Sequence, residues 1–182
     1  MDIHGFSEAL AAAVKAAGES VLRVDGRCVG ASAVVWSAEG AVVTASHAIG
    51  RGEGLTVTLA DGRAVKATVA GRDPGTDVAV LRVEATGLAA PRWSEGEGLA
   101  VGHLVLPVGR PGRSVRATLG MVSALGDGFR SAAGAQIDRY IEVDGSLPRG
   151  FSGGPLVDTS GALLGMNTAA LTRAGGTVPY AT

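Results

Sequence analysis

From residue 21 onward the chain is a succession of short apolar runs broken by turn residues, a rhythm that suits an antiparallel β architecture. Residues 21–24 stop at Asp25-Gly26, residues 29–36 stop at Glu39-Gly40, and residues 41–44 follow. Residues 55–59 alternate in polarity and close at Asp61-Gly62; two further runs cover 64–70 and 78–83. Asp-Gly between apolar runs is a hairpin signal, because both central positions of the favoured turn need φ > 0. Six strands within about the first 83 residues fit a small closed barrel. Residues 84–100, with Pro91 and several glycines, read as a linker. A second strand series then runs through 103–106, 114–125, 137–143, 156–157 and 162–166.

Ahead of the strands lies one helical segment, residues 6–17, with Ser7 as the expected cap and Gly18 as the stop. Phe6, Leu10, Val14 and Ala17 recur there at helical spacing. The expectation is therefore an all-β fold: two packed six-stranded antiparallel β-barrels behind a short N-terminal helix. The units divide as 1–18 for the helix, 19–100 for the first barrel with its linker, and 101–182 for the second. After 162–166 no further full strand is evident, so the second barrel reads as cut short or completed by a partner. Clefts between such halves are favoured ligand sites.

Composition narrows the function classes. Apolar residues make up 46% and charged residues 18%, which describes a globular chain. Sixteen basic residues face seventeen acidic ones, so no global field attracts nucleic acid or an anionic membrane. A loop holding Arg110, Arg113 and Arg116 is the one basic cluster, and without interleaved aromatics it reads as solvated rather than as a nucleic-acid contact. The single cysteine, Cys28, excludes an internal disulfide and reads as a buried strand residue. No apolar run is long enough to span a bilayer. The N-terminus lacks a basic segment followed by an apolar one, which places the chain in the cytoplasm, or in the periplasm or outside the cell if a leader has been removed.

Chemistry concentrates in Gly150-Phe151-Ser152-Gly153-Gly154-Pro155-Leu156, where three glycines and a proline surround one serine. A serine on so tight a turn can be exposed as a nucleophile beside backbone N–H groups; the bland alternative is a Gly-Pro hairpin loop. A nucleophilic serine needs a base, and the base an orienting carboxylate. Of three histidines, His4 lies in a frayed N-terminus and His103 opens a strand with no nearby carboxylate, whereas His47 follows a strand directly. Asp77, at the mouth of the apolar run 78–83, is the carboxylate a buried histidine N–H would satisfy. Asp73 competes, but Asp73-Pro74-Gly75 is ordinary turn chemistry.

His47, Asp77 and Ser152 stand in the chymotrypsin order of triad residues. The blocks Val42-Val43-Thr44-Ala45-Ser46-His47, Asp73-Pro74-Gly75-Thr76-Asp77-Val78-Ala79-Val80-Leu81 and Gly150 to Leu156 closely resemble the protease domain of HtrA-type serine proteases. The resemblance covers about residues 18–172. It implies that Ser152 attacks a peptide carbonyl, His47 shuttles the proton, Asp77 orients the imidazole, and the N–H groups of Gly150 and Ser152 form the oxyanion hole, with no cofactor or metal. It also implies a specificity pocket floored by Ser146 and walled by Leu147, Asn167, Thr168 and Ala169. With no carboxylate on the floor, Val, Ala or Leu is expected before the cut. Unfolded polypeptides are the implied substrates, and a trimer through Phe6 the implied assembly.

Two positions depart from the family pattern. Phe151 stands where asparagine is usual before the nucleophile, and Arg149 where proline is usual, with Pro148 one residue earlier. Both touch the loop that has to hold the Gly150 N–H toward the cleft. The resemblance is to the protease domain only, without a PDZ domain. The rival reading from another class is a chaperone-like or peptide-binding module that keeps the cleft and has lost turnover.

Overall fold

The computed structural model describes residues 2–25, 30–94, 96–131, 134–144, 146–170 and 180–181. Cys28 lies outside them. The helix α1 (Ile3–Gly18) starts three residues earlier than the sequence pattern implies. Its cap is Asp2, whose carboxylate accepts the His4 and Gly5 N–H groups at 3.1 Å each, so Ser7 sits inside the helix and His4 in its first turn. The helix ends at Gly18, with Glu19 as its C-cap. Ala13 and Ala17 are buried against Val21, Val34, Leu106, Val157 and Leu163, so one small-residue face packs onto strands of both halves.

Six strands form the first barrel: β1 (Val21–Asp25), β2 (Ala31–Val35), β3 (Ala41–Ala45), β4 (Leu55–Thr58), β5 (Ala64–Asp73) and β6 (Val78–Val83). They close in the order β1-β2-β3-β6-β5-β4. The interior is Leu22, Val24, Val35, Val42, Val57, Leu81 and Val83, branched aliphatics of the kind that fill a pleated, curved surface. Between Val69 and Gly71 the β5–β6 register slips, and the slip bends β5 around the barrel.

In the second half are β7 (Leu104–Gly109), β8 (Arg116–Ala117), β9 (Gly120–Arg130), β10 (Gln136–Val143), β11 (Pro155–Asp158), β12 (Leu163–Thr168) and β13 (Tyr180–Ala181). Pairings run β7–β9–β10–β13–β12–β11 and return to β7, with β8 a flap on β7. The last strand, expected to be cut short, is β13, two residues long and seated between β10 and β12. The fold is the pair of antiparallel barrels that the sequence pattern implies. In the linker, Trp93 bridges to Leu163 and its ring lies 4.7 Å from that of Trp36, which joins the halves on one side.

Candidate active site

His47 sits on a single 3₁₀ turn, Ser46–Ile49, that directly continues β3. So short a turn cannot hold itself, and it is pinned from outside. The Ser46 N–H donates to the Asp77 carbonyl at 2.8 Å. The Arg72 guanidinium donates to the Ser46 carbonyl at 2.9 Å and to the Gly50 carbonyl at 2.8 Å, gripping both ends of the turn.

Asp77 is the only non-glycine with positive φ among the described residues, at 58°. That conformation turns its carboxylate onto His47 just before β6 begins. One oxygen accepts the His47 backbone N–H at 2.9 Å, and the other meets His47 Nδ1 at 2.8 Å and the Thr168 hydroxyl. Asp77 is 3% exposed. Burial works against its ionisation, but the hydrogen bonds from His47 and Thr168 outweigh it and hold the carboxyl below its ordinary range. The hydrogen bond to Asp77 raises the His47 pKa, burial opposes the rise, and the Asp77 charge adds to it.

Ser152 belongs to the other barrel, yet its loop is fastened to the start of β2. The Ser32 N–H donates to the Ser152 carbonyl at 3.1 Å, and Gly153 donates to the Asn167 carbonyl at 2.8 Å. Gly153 has φ +86°, and a Cβ there would lie 2.1 Å from the Ser32 carbonyl and 2.8 Å from the Ala45 nitrogen. Only glycine fits that approach, two residues before His47. Among the described residues no hydrogen bond joins Ser152 Oγ to the imidazole; such bonds are often long before substrate arrives. The Gly150 and Ser152 N–H groups likewise have no acceptor among the described residues.

Phe151 does not enter the cleft. It is 2% exposed and lies against Gly109, where an added Cβ would meet its ring at 2.9 Å. Arg149 is exposed. In the proposed pocket Ser146 is exposed and Leu147 and Ala169 are half-buried, but the side chains of Asn167 and Thr168 are turned inward. Asn167 donates to the Pro155 carbonyl at 2.7 Å, and Thr168 to Asp77. What these two present to a cleft is backbone. The Thr168–Asp77 contact was not legible from sequence spacing, because it joins residues 91 apart across the two barrels. Asp73 is confined to its own turn, accepting from Gly75 and Thr76, and His103 is exposed. Arg110 is no anion site: its guanidinium donates to the carbonyls of Gly18, Val21 and Arg113.

Two packed antiparallel barrels with a histidine–aspartate pair on one and a glycine-flanked serine from the other define a chymotrypsin-like site. Residues 31–166 match the trypsin-like peptidase domain, and the chain belongs to that family. Its relatives are HtrA-type proteases. The chain is 36% identical over 152 residues to a probable periplasmic serine protease do/HhoA-like of Haemophilus influenzae, covering 82% of this chain and 32% of that one. To the periplasmic serine endoprotease DegP of Escherichia coli it is 35% identical, covering 82% and 31%. Among solved structures, the HtrA-type protease AlgW with tripeptide superposes with a TM-score of 0.80 at 34% identity, over 94% of this chain and 58% of the other. The serine endoprotease from Yersinia pestis superposes at 0.75 and 30%, over 93% and 60%. This chain spans about a third of the length of these curated relatives. Their names place them in the periplasm and lend no support to a cytoplasmic location. Among the described residues no helix is long and apolar enough to cross a membrane.

Proposed function

We propose that this chain is the protease unit of an HtrA-type serine endopeptidase that cleaves polypeptides through an acyl-enzyme. The observation that carries the reading is the Asp77 carboxylate, buried and holding both the backbone and the ring of His47 while Thr168 fastens it to the second barrel. Asp77 accepts a hydrogen bond from the His47 Nδ1–H, which leaves Nε2 as the base. Nε2 takes the Ser152 hydroxyl proton as Oγ bonds to the scissile carbonyl carbon. The carbonyl oxygen gains the charge and meets the N–H groups of Gly150 and Ser152. The imidazolium then protonates the leaving amine, and water, deprotonated by His47, releases the acyl group.

Ser146, Leu147 and Ala169 form the side-chain part of the specificity pocket, with the Asn167–Thr168 backbone along its edge; a small apolar residue before the cut suits it. The chain divides at 18 and 100, and a homo-trimer with Phe6 among its contacts is the assembly this reading expects. The working compartment is the periplasm, as in the named relatives, and nucleic acid is not a partner.

Labelling with a fluorophosphonate, with Ser152→Ala as control, tests the reading. Labelling of the wild type alone, and cleavage of an unfolded substrate after Val, Ala or Leu, is expected. A wild type that binds an unfolded substrate without labelling overturns the protease reading in favour of a binding module. Cleavage mainly after Lys or Arg overturns the pocket assignment.

A further inference from the structure

Ser32, on β2 of the first barrel, has no place in the triad, yet it grips the nucleophile loop at two points. It is fully buried. Its backbone N–H donates to the Ser152 carbonyl at 3.1 Å, and its Oγ bonds the Gly150 carbonyl at 2.6 Å. The direction of that second bond is fixed by a third. The Arg110 N–H donates to Ser32 Oγ at 2.8 Å, which occupies a lone pair, so the single hydroxyl proton goes to the Gly150 carbonyl.

We propose that Ser32 is the positioning residue of the oxyanion hole, setting the orientation of the Gly150 and Ser152 donors by holding the carbonyls of those same two residues. The proposal rests on the protease reading above. Glycine is the residue whose φ and ψ are least restricted, so Gly150, at φ +83°, does not hold its own N–H in one direction. Two outside constraints do so. A Cβ at Gly150 would lie 2.5 Å from the Gly30 carbonyl and from Pro111, which walls one side. The Ser32 hydroxyl anchors the carbonyl on the other. With both carbonyls drawn into the first barrel, the Gly150 and Ser152 N–H groups are left without a protein acceptor among the described residues.

Phe151 completes the arrangement. Its ring is buried against Gly109, next to the Arg110 peptide that donates to Ser32. A polar side chain in that place would have to be satisfied internally; an aromatic one only fills space. The hydroxyl that fixes the loop therefore comes from the opposite barrel.

The test compares Ser32→Ala and Ser32→Cys with the wild type, each normalised to the amount of protein that a fluorophosphonate finally labels. The readouts are kcat and KM on a fluorogenic peptide, affinity for a peptidyl aldehyde, whose hemiacetal places an oxyanion in the hole, and affinity for the uncut product peptide. Losing a whole oxyanion donor costs about 10²–10³ in turnover, so loosening two is expected to lower kcat and aldehyde affinity together by about 10–100-fold in Ser32→Ala. KM and product affinity stay within about threefold, and Ser32→Cys, which keeps a weak donor, recovers part of the loss. A Ser32→Ala enzyme with kcat and aldehyde affinity within twofold of the wild type overturns the inference alone. So does a loss confined to KM, or one shared equally by product peptide and aldehyde. A wild type that neither labels nor cleaves overturns the protease reading, and this inference with it.

Discussion

Replacing Asp77 by asparagine changes one atom type and removes one charge, and the geometry says where the damage falls. Three donors converge on the two carboxylate oxygens: the His47 N–H at 2.9 Å, His47 Nδ1 at 2.8 Å and the Thr168 hydroxyl. An amide offers one oxygen. If it faces the backbone N–H, the amide nitrogen confronts both Nδ1 and Thr168, and at 3% exposure no solvent reaches in to arbitrate. The imidazole escapes the clash by carrying its proton on Nε2, where it cannot act as a base toward Ser152. The expected loss is about 10⁴ in kcat, the known consequence of the wrong tautomer in a triad of this kind. At 1.36 kcal/mol per decade that is about 5 kcal/mol of transition-state stabilisation. The pH profile moves as well. In the wild type the Asp77 hydrogen bond and charge raise the His47 pKa against burial, so activity climbs with pH through a value above about 6.5. Without the carboxylate only burial remains, and the residual activity climbs at lower pH. Initial rates on a fluorogenic peptide across pH 5–9 measure both. A variant that keeps more than a tenth of wild-type kcat, or whose rising limb does not move down, refutes the reasoning.

Thr168→Val is nearly isosteric and removes one of the donors to Asp77; a hydrogen bond to a charged group is worth about 1.5–3 kcal/mol, so chemical denaturation should show a loss of that order. Gly153→Ala puts a methyl against the Ser32 carbonyl in a left-handed conformation, and is expected to lower stability by about 2–5 kcal/mol, with a change below 1 kcal/mol contradicting the packing. Arg72→Ala releases both ends of the turn that carries His47, so kcat should drop by about 3–10-fold, a fraction of what a positioned base supplies, with KM held. Stability should also depend on pH through the His47–Asp77 pair. The raised His47 pKa contributes stability below about 6.5 that is lost as pH rises through its higher folded value; the lowered Asp77 pKa contributes stability above about 3.9 that is lost as pH falls through its lower folded value. The Tm difference between wild type and His47→Ala, followed from pH 5 to 9, should therefore shrink toward the alkaline end.

Much of this protein is legible along the chain because the signals are local. Asp-Gly turns and two-residue alternation determine six strands before residue 84 without reference to anything distant. His47 and Asp77 stand at strand ends in recognisable blocks, and Ser152 is framed by glycines whose purpose is visible at Gly153. Short-range features mislead only at margins. The helix starts at Ile3 because Asp2 out-caps Ser7, and β9 runs on to Arg130 because its pairing with β10 overrides the glycines at 126 and 128. Tertiary structure decides what each side chain is for. Thr168 reads as a pocket wall and turns out to hold Asp77; Arg110 reads as solvated and is buried on three carbonyls. Phe151, a departure from the family pattern in a loop where donors matter, is a core residue. The reason is common to all of them. A hydrogen bond or a contact between residues 91 or 118 apart leaves no periodicity in the sequence, and only the docking of one barrel on the other brings its two ends together.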